Sequence, residues 1–280
     1  MIYLLVNPLA NNSTANEVMH NVLDSVHSTF GKETETKDIT KLEYDFFLNS
    51  LKENDVVVLF GGDGTFSYLG NALCGKKLPC DFFVYGAGTG NDFLRDVNTQ
   101  KINFFRINDY LINLPRVIVN GETKRFLNNV GFGIDGEVCV VADQQKKNGK
   151  EKINYTSLAI SLLLFKYKPC DCKVTVDGVE HDFKHCWLAP TMNGRYYGGG
   201  MMACPKQNCL SDKVSIMLMC GKGKIATLLC FKDIFAGTHV KNKRTTILEG
   251  KSIKVEFASP RALQIDGEVI ENISSYEITK

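Results

Sequence analysis

The run Val56-Val-Val-Leu-Phe-Gly61-Gly62-Asp63-Gly64-Thr65 decides how the first part of this chain folds. Its apolar residues have no polar interruption, the pattern of a strand covered on both faces in a parallel sheet. Such a strand delivers the chain to the carboxyl edge of the sheet, where open α/β folds bind ligands. The glycines permit positive φ angles and let main-chain N–H groups approach closely. Those amides, with the N-terminus of a following helix, make an anion cradle suited to phosphates. No Lys stands in the G-x-x-x-x-G-K-[ST] arrangement, so this is not a Walker loop. Asp63 lies inside the cradle, where a bare carboxylate repels phosphate unless a cation intervenes; Mg2+ is the natural one.

Outward from this turn the same rhythm holds. Residues 2–6 read as a strand ending at Asn7-Pro8, and residues 16–29 as a helix with Val18, Val22, Leu23 and Val26 on one face. An amphipathic stretch at 44–52 precedes the strand at 56–60; a helix at 66–74 and a strand at 82–85 follow it. A second glycine turn comes next, Gly86-Ala-Gly88-Thr89-Gly90-Asn91-Asp92-Phe93. Its G-x-G-x-G spacing is not the dinucleotide fingerprint G-x-G-x-x-G. Thr89 can donate to a phosphate oxygen, and Asp92 brings a second carboxylate near Asp63. Strand, glycine turn and helix thus occur twice in succession, which predicts a doubly wound α/β domain over residues 1–115.

The pattern then changes to short strands at 116–119, 125–130, 172–176, 184–189, 213–219, 252–257 and 262–265, interrupted by one apolar helix at 155–165. This predicts a mainly antiparallel β-sandwich domain over residues 116–280. Asp266-Gly267 reads as the tight turn of a hairpin between 263–265 and 269–270.

Composition narrows the function classes. At 280 residues, 44% hydrophobic and 23% charged, the chain reads as an ordinary globular protein. A formal charge of +2 gives no bulk signal for nucleic acid, and no such partner is expected. The most apolar stretch, residues 158–165, is far below the roughly 20 residues of a spanning helix. The opening MIYLLVNPLANN lacks a basic segment and reads as a strand, not a signal peptide. The ten cysteines are scattered, several in apolar runs where a free Cys behaves as a small hydrophobe. A reduced, cytoplasmic protein is the expectation. Cys170-Asp-Cys172 has the wrong spacing for a zinc knuckle. His181 and His185 lie in an alternating, strand-like stretch, where four residues separate side chains by ~13 Å, too far to share a metal.

The two glycine turns together, residues 61–65 and 88–93, resemble the diacylglycerol-kinase catalytic family, which includes sphingosine and ceramide kinases and bacterial lipid kinases. Tyr197-Gly-Gly-Gly200-Met…Pro205 resembles the family's glycine-rich stretch, and Gln264-Ile-Asp266-Gly267-Glu268 its D-G-E motif. The match runs over nearly the whole chain in consistent order. It implies an ATP- and Mg2+-dependent kinase that phosphorylates a lipid hydroxyl, most directly that of diacylglycerol. The ATP contacts would fall on Asn7, Pro8, Leu9, Ala10 and Asn11, on Thr36, on Gly61, Gly62, Asp63, Gly64, Thr65, Phe66, Ser67 and Tyr68, and on Gly88, Thr89 and Asn91. Asp266 or Glu268 would take the lipid hydroxyl's proton, and Asp63 and Asp92 would hold the catalytic Mg2+ through a water-linked network. Bacterial members also carry a structural metal, which would fall on the Asp212 carboxylate and on carbonyls near Cys209 and Val214. The implied partner is a membrane lipid met transiently at the bilayer surface, and the resemblance leaves a homodimer open, bacterial members being often dimers.

The chain departs from the pattern at several places. Tyr68 stands where the family usually has Glu, Gly86 where it has Pro, and Lys213 where it has Gly; Leu9-Ala10-Asn11 is poorer in Gly and Ser than the usual first turn. These changes bear on the ribose contacts and on the structural metal. Lys146, Lys147, Lys150 and Lys152, then Lys222 and Lys224, then Lys241, Lys243 and Arg244 form basic clusters able to meet an anionic leaflet. Two other readings are a kinase of NAD, whose family shares the G-G-D-G turn, and a nucleotide- or lipid-binding regulator without catalysis. The lipid-kinase form of the second turn and the Asp-Gly-Glu motif speak against the first.

Overall fold

The computed structural model describes residues 1–8, 14–73, 75–88, 90–150 and 153–280, with the side chains of 14–16 excepted. The chain divides into two compact units, Met1–Leu114 and Pro115–Lys280.

The first unit runs β1 (Ile2–Val6), α1 (Thr14–Phe30), β2 (Thr34–Asp38), α2 (Tyr44–Ser50), β3 (Val56–Gly61), α3 (Asp63–Leu73), β4 (Asp81–Gly86), α4 (Asp92–Val97), β5 (Phe105–Arg106) and α5 (Asn108–Ile112). Its sheet has the order β2-β1-β3-β4-β5 and is parallel except for the short β5. The chain steps outward from β1 to β2 and then crosses to β3, so the order reverses between β1 and β3. That reversal point, outside the carboxyl ends of the strands, is where such sheets bind ligands. Val57, Val58, Leu59 and Phe60 are fully buried, as a strand covered by helices on both faces requires. Val26 and Met19 of α1 pack on one face with Phe60.

The second unit runs β6 (Arg116–Val119), β7 (Glu122–Arg125), β8 (Asn129–Gly133), α6 (Ile134–Lys147), α7 (Tyr155–Ser161), β9 (Cys170–Val176), β10 (Val179–Met192), β11 (Tyr196–Tyr197), β12 (Met201–Met202), β13 (Val214–Cys220), α8 (Lys224–Asp233), β14 (Thr245–Gly250), β15 (Ser252–Ile265) and β16 (Glu268–Thr279). All pairings of its large sheet are antiparallel. The long strands β10 and β15 each change partner along their length. Both pair with β9 over one half and with β8 over the other, with register shifts between. This folds the sheet over a core that includes Phe132, Val174, Ile216, Val255, Leu263 and Tyr276.

Several expectations are corrected here. The strand expected at 125–130 is two strands, because the chain at 126–128 turns its amides to another partner, described below. The segments 252–257 and 262–265 are one strand with an irregularity between Glu256 and Leu263. Helices α6 and α8 were not anticipated, and the helix expected at 155–165 ends as α7 at Ser161 and continues as a π-helical turn, Leu162–Lys166. The helix after the first glycine turn starts three residues earlier than read, at Asp63 itself.

Candidate active site

The two glycine turns of the first unit are built against each other. β3 and β4 pair in register to their last residues, Gly61 opposite Gly86, and the Ala87 N–H donates to the Gly61 carbonyl at 3.0 Å. The next residues touch backbone to backbone: a Cβ on Gly88 would stand 2.4 Å from the Gly62 Cα, and one on Gly62 2.8 Å from the Gly88 Cα. No side chain fits between them. Gly64, by contrast, opens onto space, with nothing within 4 Å of where its Cβ would be. It lies in the first turn of α3, whose leading N–H groups have no partner inside the helix.

Asp63 ties the turns together. Its Oδ2 accepts from the Asp92 N–H at 2.7 Å and its Oδ1 from the Phe93 N–H at 3.1 Å, so it caps α4 from a different helix. A carboxylate at a helix N-terminus is favoured by the amides and by the dipole. Asn91 takes a left-handed conformation at φ 43° and donates from Nδ2 to the Gly88 carbonyl, fixing the second turn from within. Asp92 is buried, with Arg95 Nη1 at 3.5 Å from its Oδ1. Two carboxylates are therefore held at one edge of the sheet, both already bonded to protein groups.

The remaining positions of the expected nucleotide site divide by orientation. Asn7 and Pro8 follow β1 beside the Gly61 turn, since Val6 pairs with Phe60. The Thr65 and Phe66 side chains are buried, Phe66 edge-on to Phe93 at 4.6 Å, so these residues offer the turn their main chain only. Ser67 is half-buried, and Tyr68 is exposed, its ring 6.5 Å from that of Tyr44. Thr36 on β2 directs its hydroxyl to the Met19 sulfur at 3.7 Å. Leu9, Ala10, Asn11 and Thr89 lie outside the described residues.

In the second unit Asp266 and Gly267 form the tight turn between β15 and β16, with φ of 47° and 93° and Ile265 opposite Glu268. The Asp266 carboxylate accepts from the N–H groups of Leu127 at 2.6 Å, Asn128 at 2.8 Å and Asn129 at 3.1 Å. This is the partner that interrupts the expected strand at 126–128. Glu268 is exposed and pairs with Lys124 at 3.3 Å.

A model of the diacylglycerol kinase catalytic domain matches residues 1–125, and one of the YegS C-terminal NAD kinase beta sandwich-like domain matches residues 128–277, more than half of the chain. The chain belongs to the diacylglycerol kinase catalytic family. Among its relatives, a diacylglycerol kinase of Mycobacterium tuberculosis is 28% identical over 214 residues, 73% of this chain and 68% of that one. A diacylglycerol kinase of Bacillus subtilis is 23% identical over 225 residues, 78% of this chain and 73% of that one. In fold the chain is similar to a solved structure of a diacylglycerol kinase from Bacillus anthracis, with TM-score 0.68 and 21% identity over 100% of this chain and 94% of that one.

In this diacylglycerol-kinase family member one further candidate residue escaped the sequence reading. Asp135 lies in the first turn of α6, after the third glycine-rich strand end, Gly131-Phe-Gly133-Ile-Asp135-Gly136. Its Oδ1 accepts from the Tyr197 hydroxyl at 3.2 Å, while Oδ2 is buried without a partner. A Cβ on Gly131 would meet both that Oδ2, at 2.7 Å, and the Gln264 amide, at 2.4 Å, while the Gln264 Oε1 accepts from the Gly267 N–H. Asp135 thus lies one side chain away from the Asp-Gly-Glu turn. Burial raises its carboxyl to about 7, against which the Tyr197 hydrogen bond works. The signal that could have found it was the strand–glycine–helix pattern, here on a β-domain strand.

The family's structural metal was expected on Asp212 and on carbonyls near Cys209 and Val214. Asp212 pairs instead with Lys251 at 2.6 Å, the Cys209 carbonyl accepts from the Lys280 ammonium at 2.6 Å, and Val214 opens β13 in its ladder with β14. Among the described residues no three His, Cys, Asp or Glu side chains gather as a metal site. These donors therefore do not fit a divalent ion, since lysines already engage the carboxylate and the carbonyl.

Proposed function

We propose that this chain transfers the γ-phosphate of ATP to a hydroxyl of a membrane lipid, first of all diacylglycerol, giving phosphatidic acid. The observation that carries this reading is the backbone contact of Gly62 with Gly88, which leaves two turns with no side chains between them and open space at Gly64 in the first turn of α3. Phosphoryl transfer needs positioning and charge neutralisation more than covalent chemistry, and preorganised amides with a cation supply both.

In this reading the main chain of Gly62 through Thr65, with the turn at Gly88 and Asn91, holds the phosphates. Asn7, Pro8 and Thr36 would contact the rest of the nucleotide. Asp63 and Asp92 would hold Mg2+ through water, since a carboxylate oxygen can accept more than one hydrogen bond. When bound, Mg2+ supplies the positive charge that lets carboxylates and phosphate share one edge. Asp266 or Glu268 takes the proton of the lipid hydroxyl. Asp266 is the more firmly held of the two, by three main-chain N–H groups, and Glu268 the more exposed.

Peripheral contact with the cytoplasmic face of a membrane has support in the second unit. Phe165, Ile225 and Leu229 are 77%, 74% and 60% exposed. Their segments are joined by the Lys224 ammonium, which donates to the Leu164 carbonyl at 2.7 Å. Lys166, Lys222 and Lys232 belong to the same stretches, and each Lys near an anionic leaflet adds about 1 kcal/mol. Among the described residues no helix is long and apolar enough to cross a bilayer.

The test offers labelled ATP and Mg2+ with a panel of lipid micelles, and with NAD in parallel, the product being identified by mass. Phosphatidic acid from diacylglycerol is the expected product. Phosphorylated NAD with no lipid product would overturn the reading.

A further inference from the structure

The loop between β12 and β13 is tied down twice, and neither tie uses a metal. The first is Gln207, a buried side chain. Its Nε2 donates to the carbonyls of Lys213 at 2.8 Å and Asn193 at 3.2 Å, and its Oε1 accepts from the Ser215 hydroxyl. The second is Lys280, just beyond the end of β16. Its Nζ donates to the Cys209 carbonyl at 2.6 Å and to Asn193 Oδ1 at 2.5 Å. Asn193 is itself buried and donates onward from Nδ2 to the Leu127 carbonyl at 2.8 Å. The Lys280 N–H donates to the Lys251 carbonyl at 3.0 Å, so the main chain aims the side chain inward.

An ammonium has donors only and a full positive charge, which makes it a match for carbonyl and amide oxygens that converge. We infer that Lys280 is the cation of this loop, doing from within the chain what the family resemblance assigns to a bound metal. Lys251, paired with Asp212, completes the exchange by neutralising the carboxylate that such a metal would need. The departure at Lys213, where the family has Gly, falls in the same loop and reaches toward Glu249 at 3.8 Å.

The test is made on the full chain without nucleotide. Trp187 is the single tryptophan and lies in the second unit, so its fluorescence follows the unfolding of that unit. Wild type should unfold at the same temperature in chelator, Mg2+ and Ca2+. Lys280→Met, which leaves two oxygens without their donor, should unfold on the order of 5 °C lower. A Lys280→Met transition equal to wild type would overturn the inference. Ion content after gel filtration, measured on wild type and on the surface variant Asp212→Asn, keeps the question open to refutation even if Lys280→Met does not fold. A divalent ion retained by wild type and lost from Asp212→Asn overturns it; a wild type without such an ion supports it. An ion lost only from Asp63→Ala belongs to the glycine turns and leaves this loop metal-free, as expected. Neither readout depends on lipid phosphorylation, so failure of the proposed activity and failure of this inference are separate outcomes.

Discussion

Two Asp-Gly turns dominate the molecule, and they are built on opposite principles. Asp63-Gly64 opens a helix at the end of a parallel strand; Asp266-Gly267 closes an antiparallel hairpin. Each carboxylate is spent partly on distant main-chain amides, two from α4 for Asp63 and three from the segment leading into β8 for Asp266. The difference lies in what surrounds them. Asp63 sits beside bare glycine backbone, an environment for an anion, whereas Asp266 closes a hairpin whose Gln264 side chain holds the Gly267 N–H and points toward the buried Asp135, an environment of side chains. A carboxylate can thus be at once a structural acceptor and a candidate for chemistry, and mutations must separate the two.

The sharpest way to break the comparison is activity. Asp63→Ala and Asp266→Asn should both lose phosphate transfer to lipid micelles by about 10²–10⁴-fold while remaining folded by circular dichroism. Glu268→Gln in the same assay tells which acid takes the proton, since the base is the one whose loss lowers kcat with little change in KM. Normal turnover in both Asp variants would remove the mechanism.

Next in size is a pH effect confined to the second turn's neighbourhood. Asp135 has a folded value of about 7 against 3.8 for an ordinary Asp, so the folded state holds this proton more tightly than the unfolded one. The associated stability is fully present below the unfolded value and is lost as pH rises through about 7. Urea denaturation followed by Trp187 should therefore show wild type losing on the order of 2–4 kcal/mol between pH 4 and pH 8, and Asp135→Asn should flatten that slope. An unchanged slope in the variant would assign the pH dependence elsewhere.

Smaller again is the packing of the first turn. Gly62→Ala forces a Cβ onto the Gly88 backbone and should cost about 1–3 kcal/mol in the first unit. Gly64→Ala, with open space around it in a helical position, should be neutral or stabilising by about 0.4–1 kcal/mol. Thermal unfolding by circular dichroism compares them; equal costs would mean the two glycines are not distinguished by contact. The smallest effect expected is that of Lys124→Ala, which removes only an exposed pair with Glu268 and should change stability by less than about 1 kcal/mol, read from denaturant midpoints.

Much of this was legible in the chain itself. The uninterrupted run at 56–60, the repeated strand–glycine–helix rhythm and the Asp-Gly hairpin all have local causes: side-chain period, positive φ and turn chemistry. Helix α6 was missed because Gly131, Gly133 and Gly136 crowd its start, and its apolar residues run together at Val138-Cys-Val-Val-Ala142 without marking a clean stripe. Those glycines are required by approach, not by helix preference: a Cβ on Gly136 would stand 2.1 Å from the Ala262 carbonyl oxygen, on a strand far away in sequence.

What the sequence by itself determined is where strands end in glycine and which carboxylates stand at those ends, because such preferences act over a few residues. Only the tertiary structure decided what the carboxylates and ammonium groups touch. Asp63 reaches residues 92 and 93, Asp266 reaches 127–129, and Lys280 reaches Cys209 and Asn193. No local pattern encodes those partners, since they are brought together by strand pairing and by the burial of apolar faces, which set the distances after the turns have formed.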